Sequence, residues 1–154
     1  MAMTMNGEVD LPASQDVVWQ KLNDPEVLKT CIPGCQSLEA TPEGGFQAVA
    51  KIKVGPVSAT FKGKVALLDL DPPNGYRIQG EGEGGIAGFA KGGAVVKLAP
   101  SEAGTKLSYN VEAQVGGKIA QLGSRLIDGV ARKMADAFFA SFAAAVRDGG
   151  ADAA

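Results

Sequence analysis

Histidine is absent from the 154 residues. Its absence excludes Ser-His-Asp and Cys-His nucleophile pairs, histidine-ligated metals and a histidine proton shuttle. Cysteine occurs only twice, at Cys31 and Cys35, too few for a disulfide scaffold. Aromatic residues are scarce at 6%. No stretch is long and apolar enough to span a bilayer, which takes ~20 nearly uncharged residues. The longest candidate, Ile119 to Val146, is interrupted by Arg125, Asp128, Arg132, Lys133 and Asp136. The N-terminus has neither a basic start nor an apolar core, so no signal peptide is expected. Neither sign of charge dominates: 15 Lys and Arg face 17 Asp and Glu, for a net charge of −2. Such a chain has no strong pull toward nucleic acid or anionic lipid. These absences point to a cytoplasmic protein with reduced thiols, no nucleic-acid partner and no cofactor.

What is present is glycine, 21 residues of it, about twice the usual ~7%. Hydrophobic residues at 45% and charged residues at 21% are ordinary for a globular chain. The length suits a single domain, expected over residues 1–148, with 149–154 a frayed tail. Met3 to Leu11 alternates apolar and polar residues, the pattern of a half-buried strand. Two short helices should follow. Ser14 is placed to cap the first, and Asp24-Pro25 to start the second. Ile32-Pro33-Gly34 should stop it.

From Ser37 to Gly116 strand follows strand, about six in all, separated by turns such as Asp71-Pro72-Pro73-Asn74-Gly75. Clean alternation gives each strand one buried and one wet face, the habit of an antiparallel sheet. The remainder predicts one long helix of about 40 Å at 1.5 Å per residue. Its apolar stripe is Ile119, Leu122, Leu126, Val130, Met134, Phe138 and Phe142. Asp128 and Arg132 are spaced as an i,i+4 ion pair on the opposite face. The fold class is α+β: a curved antiparallel sheet needs a cover for its apolar face, and only the C-terminal helix is long enough.

The inner rows of that sheet carry Ala48, Ala50, Ala59, Gly63, Gly80, Gly82, Ala94 and Ala113, where a tightly packed sheet would use Val, Ile or Phe. An apolar cavity is expected between sheet and helix, lined by Ile52, Phe61, Tyr109, Leu122, Leu126, Val130 and Met134. Ile86 and Phe89 would stand near its mouth. The alternative is a tight core in which small residues let the helix sit closer. Few ionisable side chains point inward, so a greasy pocket is expected and a catalytic cleft is not.

Three motifs invite sharper readings. Gly80-Glu81-Gly82-Glu83-Gly84-Gly85 formally matches a dinucleotide fingerprint. That motif needs a helix after it, whereas more strand follows here, and Glu81 and Glu83 would repel phosphate. Seven of the fourteen residues from Gly80 to Gly93 are glycine, consistent with a bent hairpin or a mobile rim gated by Ile86 and Phe89. Cys31 and Cys35 could complete a zinc site only with carboxylates, so structural thiols and no metal site are expected.

Specific strings carry a resemblance. They are Asp24-Pro25-Glu26-Val27-Leu28, Cys31-Ile32-Pro33-Gly34-Cys35, Lys53-Val54-Gly55-Pro56 leading to Phe61-Lys62-Gly63-Lys64, and Gly84-Gly85-Ile86-Ala87-Gly88-Phe89-Ala90-Lys91-Gly92. Gly104-Thr105-Lys106-Leu107, Gly116-Gly117-Lys118-Ile119-Ala120-Gln121-Leu122-Gly123 and Asp136-Ala137-Phe138-Phe139 complete the set. With them the chain resembles the carbon monoxide dehydrogenase G-subunit family of the START-like helix-grip (SRPBCC) superfamily, from about Met5 to Phe142.

The resemblance implies a seven-stranded antiparallel sheet around a C-terminal helix with a hydrophobic cavity between them. It implies a non-catalytic accessory protein of a carbon monoxide dehydrogenase-like molybdenum hydroxylase, binding an apolar small molecule such as a quinone or lipid. The alternative is an assembly or membrane-recruitment module whose cavity is incidental. A third reading, an enzyme like the cyclases and hydrolases of the superfamily, is opposed by the missing histidine. Many family members continue into a linker and a membrane helix. The sequence ends at Ala154 without one, which counts against anchoring but leaves room for peripheral contact at the inner membrane face. The family brings no established catalytic residue.

Overall fold

Proline, glycine and capping side chains divide the chain where their chemistry requires it. In a computed structural model, which describes the backbone of residues 1–153 and the side chains of residues 1–147, strand β1 (Ala2–Leu11) runs to Pro12. Helix α1 (Gln15–Leu22) then starts under Ser14, whose side chain accepts from the Val17 amide. Helix α2 (Pro25–Cys31) starts under Asp24 in the same way, through the Glu26 amide, with Pro25 at its first position. Such caps each contribute about 1 kcal/mol.

Six strands follow: β2 (Cys35–Ala40), β3 (Phe46–Val54), β4 (Val57–Asp71), β5 (Gly75–Glu83), β6 (Phe89–Ser101) and β7 (Gly104–Gly116). A 3-10 turn, Gly85–Ala87, links β5 to β6. A second, Lys118–Leu122, follows β7, and helix α3 (Ser124–Ala153) closes the chain. The expected frayed tail, 149–154, lies outside the residues described with side chains.

The seven strands form one open antiparallel sheet in the order β1-β7-β6-β5-β4-β3-β2. Every link from β2 to β7 is a hairpin between neighbours, and β1 returns to pair with β7. The register sets the predicted inner rows side by side. Ile78, Gly80 and Gly82 on β5 face Ala94, Gly92 and Ala90 on β6. Gly63 on β4 faces Gly82, and Ala113 on β7 faces Gly92.

Two core clusters hold the helices to this sheet. The larger joins α1, α2 and the C-terminal half of α3 to the sheet through Leu11, Val18, Leu22, Cys31, Leu107, Phe142 and Val146. The smaller joins the two 3-10 turns and the start of α3 through Val54, Ala87, Val115, Ile119 and Ile127. Between them the sheet's inner face is covered only in part: Ala48, Ala50, Phe61, Gly80, Gly82, Ala90 and Ala113 are all half-buried.

Two expectations for the C-terminal region are corrected. The helix is not continuous from Ile119, because Gly123, at φ 94°, takes the left-handed conformation and ends the 3-10 turn. The stripe keeps its expected course through Val130, Met134, Phe138 and Phe142, and departs from it only in the first turn of α3. Ile127 is buried at 8% exposure, while Leu126 is 37% exposed. The Asp128–Arg132 ion pair is also replaced. Arg132 donates instead to the Tyr109 hydroxyl at 3.1 Å and to the Asn6 carbonyl at 3.1 Å. Among the described residues, the ion pairs are Arg77–Asp69 at 3.2 Å and Lys106–Glu8 at 3.7 Å, both exposed.

Candidate functional site

Small inner-face residues leave a hollow of about 270 Å³ between the sheet and the N-terminal half of α3. Gly82, Ala90 and Ala113 lie on its sheet side. Ile52 and Val54 on β3, Phe61 on β4 and Met3 on β1 form its walls. Ile127, Val130, Ala131 and Met134 cover it from α3, and Val115 and Ile119 close one end. A second hollow of about 310 Å³ adjoins it over Ile78, Gly80, Gly92, Ala94 and Val111, sharing Ala90 and Ala113 with the first. At roughly 30 Å³ per water-sized group, the first has room for about nine heavy atoms, and the second is a shallow extension open to solvent.

The chemistry of the first hollow is uniform. None of its lining side chains carries a charge, a hydroxyl or an amide. Acid–base or nucleophilic catalysis therefore has no lining side chain to act through. The groups whose pKa moves lie elsewhere. Burial pushes the Tyr76 phenol up to about 12. Burial also pushes the Cys31 thiol up, against a side-chain hydrogen bond with Thr30 that lowers it. Both residues belong to the larger core cluster. Cys31 and Cys35 are free thiols. Among the described residues, no group of three or more His, Cys, Asp or Glu could hold a metal.

A larger concavity, about 850 Å³, lies over side chains of the outer face, including Gln47, Lys64, Gln79, Glu81, Lys91 and Gln114. Lys64, Glu81 and Lys91 stand opposite one another on adjacent strands. A polar trough of mixed charge is open to water on a wet sheet face, so the apolar hollow is the better candidate for a ligand.

Of the residues singled out from sequence, Ile52, Phe61, Val130 and Met134 line the hollow together. The other five are placed elsewhere. Tyr109 is buried in the larger cluster, stacked on Phe139 at 5.3 Å. Leu122 sits on the 3-10 turn, packed against the smaller cluster. Leu126 lies over Gly55 in the β3–β4 turn, where a Cβ on the glycine would meet its Cδ2 at 2.8 Å. Ile86 is 91% exposed at the tip of the β5–β6 connection. Phe89 is 41% exposed; it pairs with Glu83 and Gly116, and register puts its ring on the outer face, over Gly116. Gly82 and Ala113, read from sequence as inner-row residues, line it too. Residues not singled out as lining are Met3, Val54, Ala90, Val115, Ile119, Ala131 and Ile127. Strand parity would have found the first four. Ile127 lies three residues before Val130, one step around the helix from the stripe as read.

A seven-stranded antiparallel sheet closed on a long C-terminal helix is the helix-grip fold of START-like, SRPBCC-type proteins. Within that class the chain belongs to the CoxG family, the G-subunit family of carbon monoxide dehydrogenase, whose model matches residues 7–147. A conserved protein of Geobacillus kaustophilus is 34% identical, with a TM-score of 0.89 over 95% of this chain and 96% of its own. A protein of Rhizobium leguminosarum is 15% identical with a TM-score of 0.73, covering 96% of both chains. The Zhui aromatase/cyclase of Streptomyces sp. R1128 is 15% identical with a TM-score of 0.68, over 96% of this chain and 94% of its own. The last two are likenesses of fold. No curated protein matches the sequence significantly.

Proposed function

We propose that the protein is a non-catalytic binder and carrier of an apolar molecule, quinone or lipid-like, serving a carbon monoxide dehydrogenase-like molybdenum enzyme. One observation carries the reading: the hollow under α3 is lined by apolar side chains alone. Burying hydrocarbon there gains about 25 cal/mol per Å² removed from water, with no lining side chain to spend on chemistry. Family membership supports the partner, since the family takes its name from that dehydrogenase. The aromatase/cyclases with the same fold make catalysis the reading to beat, and the absence of titratable side chains around the hollow argues against it. Site residues under this proposal are Ile52, Phe61, Val130 and Met134, with Gly82, Ile127 and Ala131 added. No helix among the described residues is long and apolar enough to cross a membrane.

Native mass spectrometry of gently purified protein tests the reading, with Ala131→Trp as the control. A small apolar adduct is expected on the wild type and lost in the variant, with the fold intact. If the space is a filled core, the added ring would instead cost about 1–3 kcal/mol or more. A protein that carries nothing and takes up no apolar probe would favour the assembly-module reading.

A further inference from the structure

We propose that the hollow admits a hydrocarbon chain end first, with its polar head left outside, and that Gly82 sets how long a chain it accepts. This rests on the carrier reading and names the ligand's shape. The end-first orientation follows from the lining. A hydroxyl or carbonyl carried into the first hollow would meet no polar side chain, and an unpaired polar group in such a place is expensive.

The role of Gly82 follows from comparing the glycines around the hollow. Gly84 has to lack a side chain, because the Phe61 ring lies where its Cβ would be, with Cε1 at 2.6 Å. Gly92 has to lack one because its Cβ would collide with the Glu112 carbonyl and the Ala113 backbone. Gly80 is tight, with the Lys64 carbonyl at 3.1 Å and Val65 Cγ2 at 3.3 Å. Gly82 differs. A Cβ there would meet nothing closer than the Lys62 carbonyl at 3.7 Å and Gly63 Cα at 3.9 Å. Its φ is not among the positive ones. The fold does not require glycine at this strand position, and glycine weakens a strand. What the missing side chain provides is space, because Gly82 lines the hollow.

Straight-chain primary alcohols from octanol to hexadecanol, titrated calorimetrically, test the proposal. Wild-type affinity should rise about fourfold per added methylene and then level off when the chain fills the space. In Gly82→Leu the levelling should come about four carbons earlier, because side-chain carbons occupy the ligand's place. Gly82→Ala, whose Cβ would make only ordinary van der Waals contacts at 3.7 and 3.9 Å, should keep or slightly raise the wild-type melting temperature and shift the ceiling by about one carbon. It decides the matter if the leucine variant does not fold. Dodecane-1,12-diol should bind at least about tenfold more weakly than dodecanol. An unchanged ceiling in the Gly82 variants, or a diol that binds as well as the alcohol, overturns the proposal while leaving the carrier reading standing. If no alcohol of any length binds the wild type, the carrier reading fails and takes this proposal with it.

Discussion

Arg132 donates from Nη1 to the phenolic oxygen of Tyr109 at 3.1 Å. The same guanidinium reaches the Asn6 carbonyl at 3.1 Å through Nη2. One planar fork from α3 thus holds the edge strand β1 and a tyrosine of β7 together. Tyr109 leans over Gly7, where a Cβ would come within 2.6 Å of its hydroxyl, and stacks on Phe139. The bond therefore belongs to the structural end of the molecule and keeps Tyr109 out of the hollow.

Arg132→Ala should lower stability by about 1–2 kcal/mol, the worth of one or two charge-assisted bonds at a partly exposed site. A double-mutant cycle with Tyr109→Phe, followed by urea denaturation, should give a coupling of about 0.5–1 kcal/mol. Strictly additive losses would show that the bond contributes nothing. Arg132→Lys should recover little, since an ammonium cannot bridge both oxygens in the same way.

Ile127 and Leu126 are chain neighbours with opposite fates, one buried in the smaller cluster and the other over the β3–β4 turn. Ile127→Ala should cost about 2–4 kcal/mol, as buried truncations do. Leu126→Ala should cost under about 1 kcal/mol. Equal losses in chemical denaturation would mean that α3 begins in a different phase.

This pair marks the border of what the sequence makes legible. Strand faces are readable because side-chain period 2 is fixed by the pleat, so Ala48, Gly80 and Gly82 fall on the inner side without any structure. Caps are readable because Ser14 and Asp24 act on amides two or three residues away. The helix stripe is readable beyond Gly123, where Val130, Met134, Phe138 and Phe142 fall inward as the spacing puts them, but its rim is not: period alone does not decide which of the neighbours Leu126 and Ile127 turns in. Phe89 is legible by the same period as the strand faces, one residue out of step with Ala90 and Ala94. Tyr109 escapes for another reason: which inner-face hydrophobe lines a hollow and which packs beside it depends on partners far along the chain, such as Arg132 and Phe139.

The Tyr76 phenol, edge-on to Trp19 at 5.4 Å, links stability to alkaline pH. Burial raises its pKa from 10.0 to about 12 in the folded protein. Between those values the native state holds a proton that the unfolded state has released. The contribution is therefore complete below about pH 10 and lost as pH rises toward 12. It amounts to about 2–3 kcal/mol at most. Tyr76→Phe should keep its ring packing and flatten the pH dependence of the urea midpoint above pH 10. An unchanged profile would place the titrating group elsewhere.

Gly129 sits within α3, exposed, with no atom within 4 Å of the position a Cβ would take and no positive φ. Glycine in a helix interior costs about 0.5–1 kcal/mol relative to alanine. Gly129→Ala should therefore raise the melting temperature by a few degrees without touching the hollow. Alcohol binding unaltered beside a higher transition confirms the local origin. A lower transition would mean that α3 needs the glycine for a contact made by its exposed face.

Under the proposed carrier function, Ile86 bears on how a cargo would enter. It stands on a short turn between Gly85 at φ 63° and Gly88 at φ 123°. Its 91% exposure means that the folded protein gains almost nothing from it, and Ile86→Asp should change stability by no more than about 0.5 kcal/mol. Insertion of that side chain into a bilayer or an apolar partner surface would be worth about 1.5–3 kcal/mol, roughly ten- to a hundredfold in the affinity of the contact. The net charge of −2 offers no electrostatic substitute. Ile86→Asp should therefore slow transfer of a fluorescent fatty acid between the protein and phosphatidylcholine vesicles by about tenfold or more. Its affinity for the same fatty acid in solution should be unchanged. Phe89→Asp, on the outer face, should slow transfer less. Equal transfer rates for wild type and Ile86→Asp, at equal solution affinity, would show that loading does not pass through this turn.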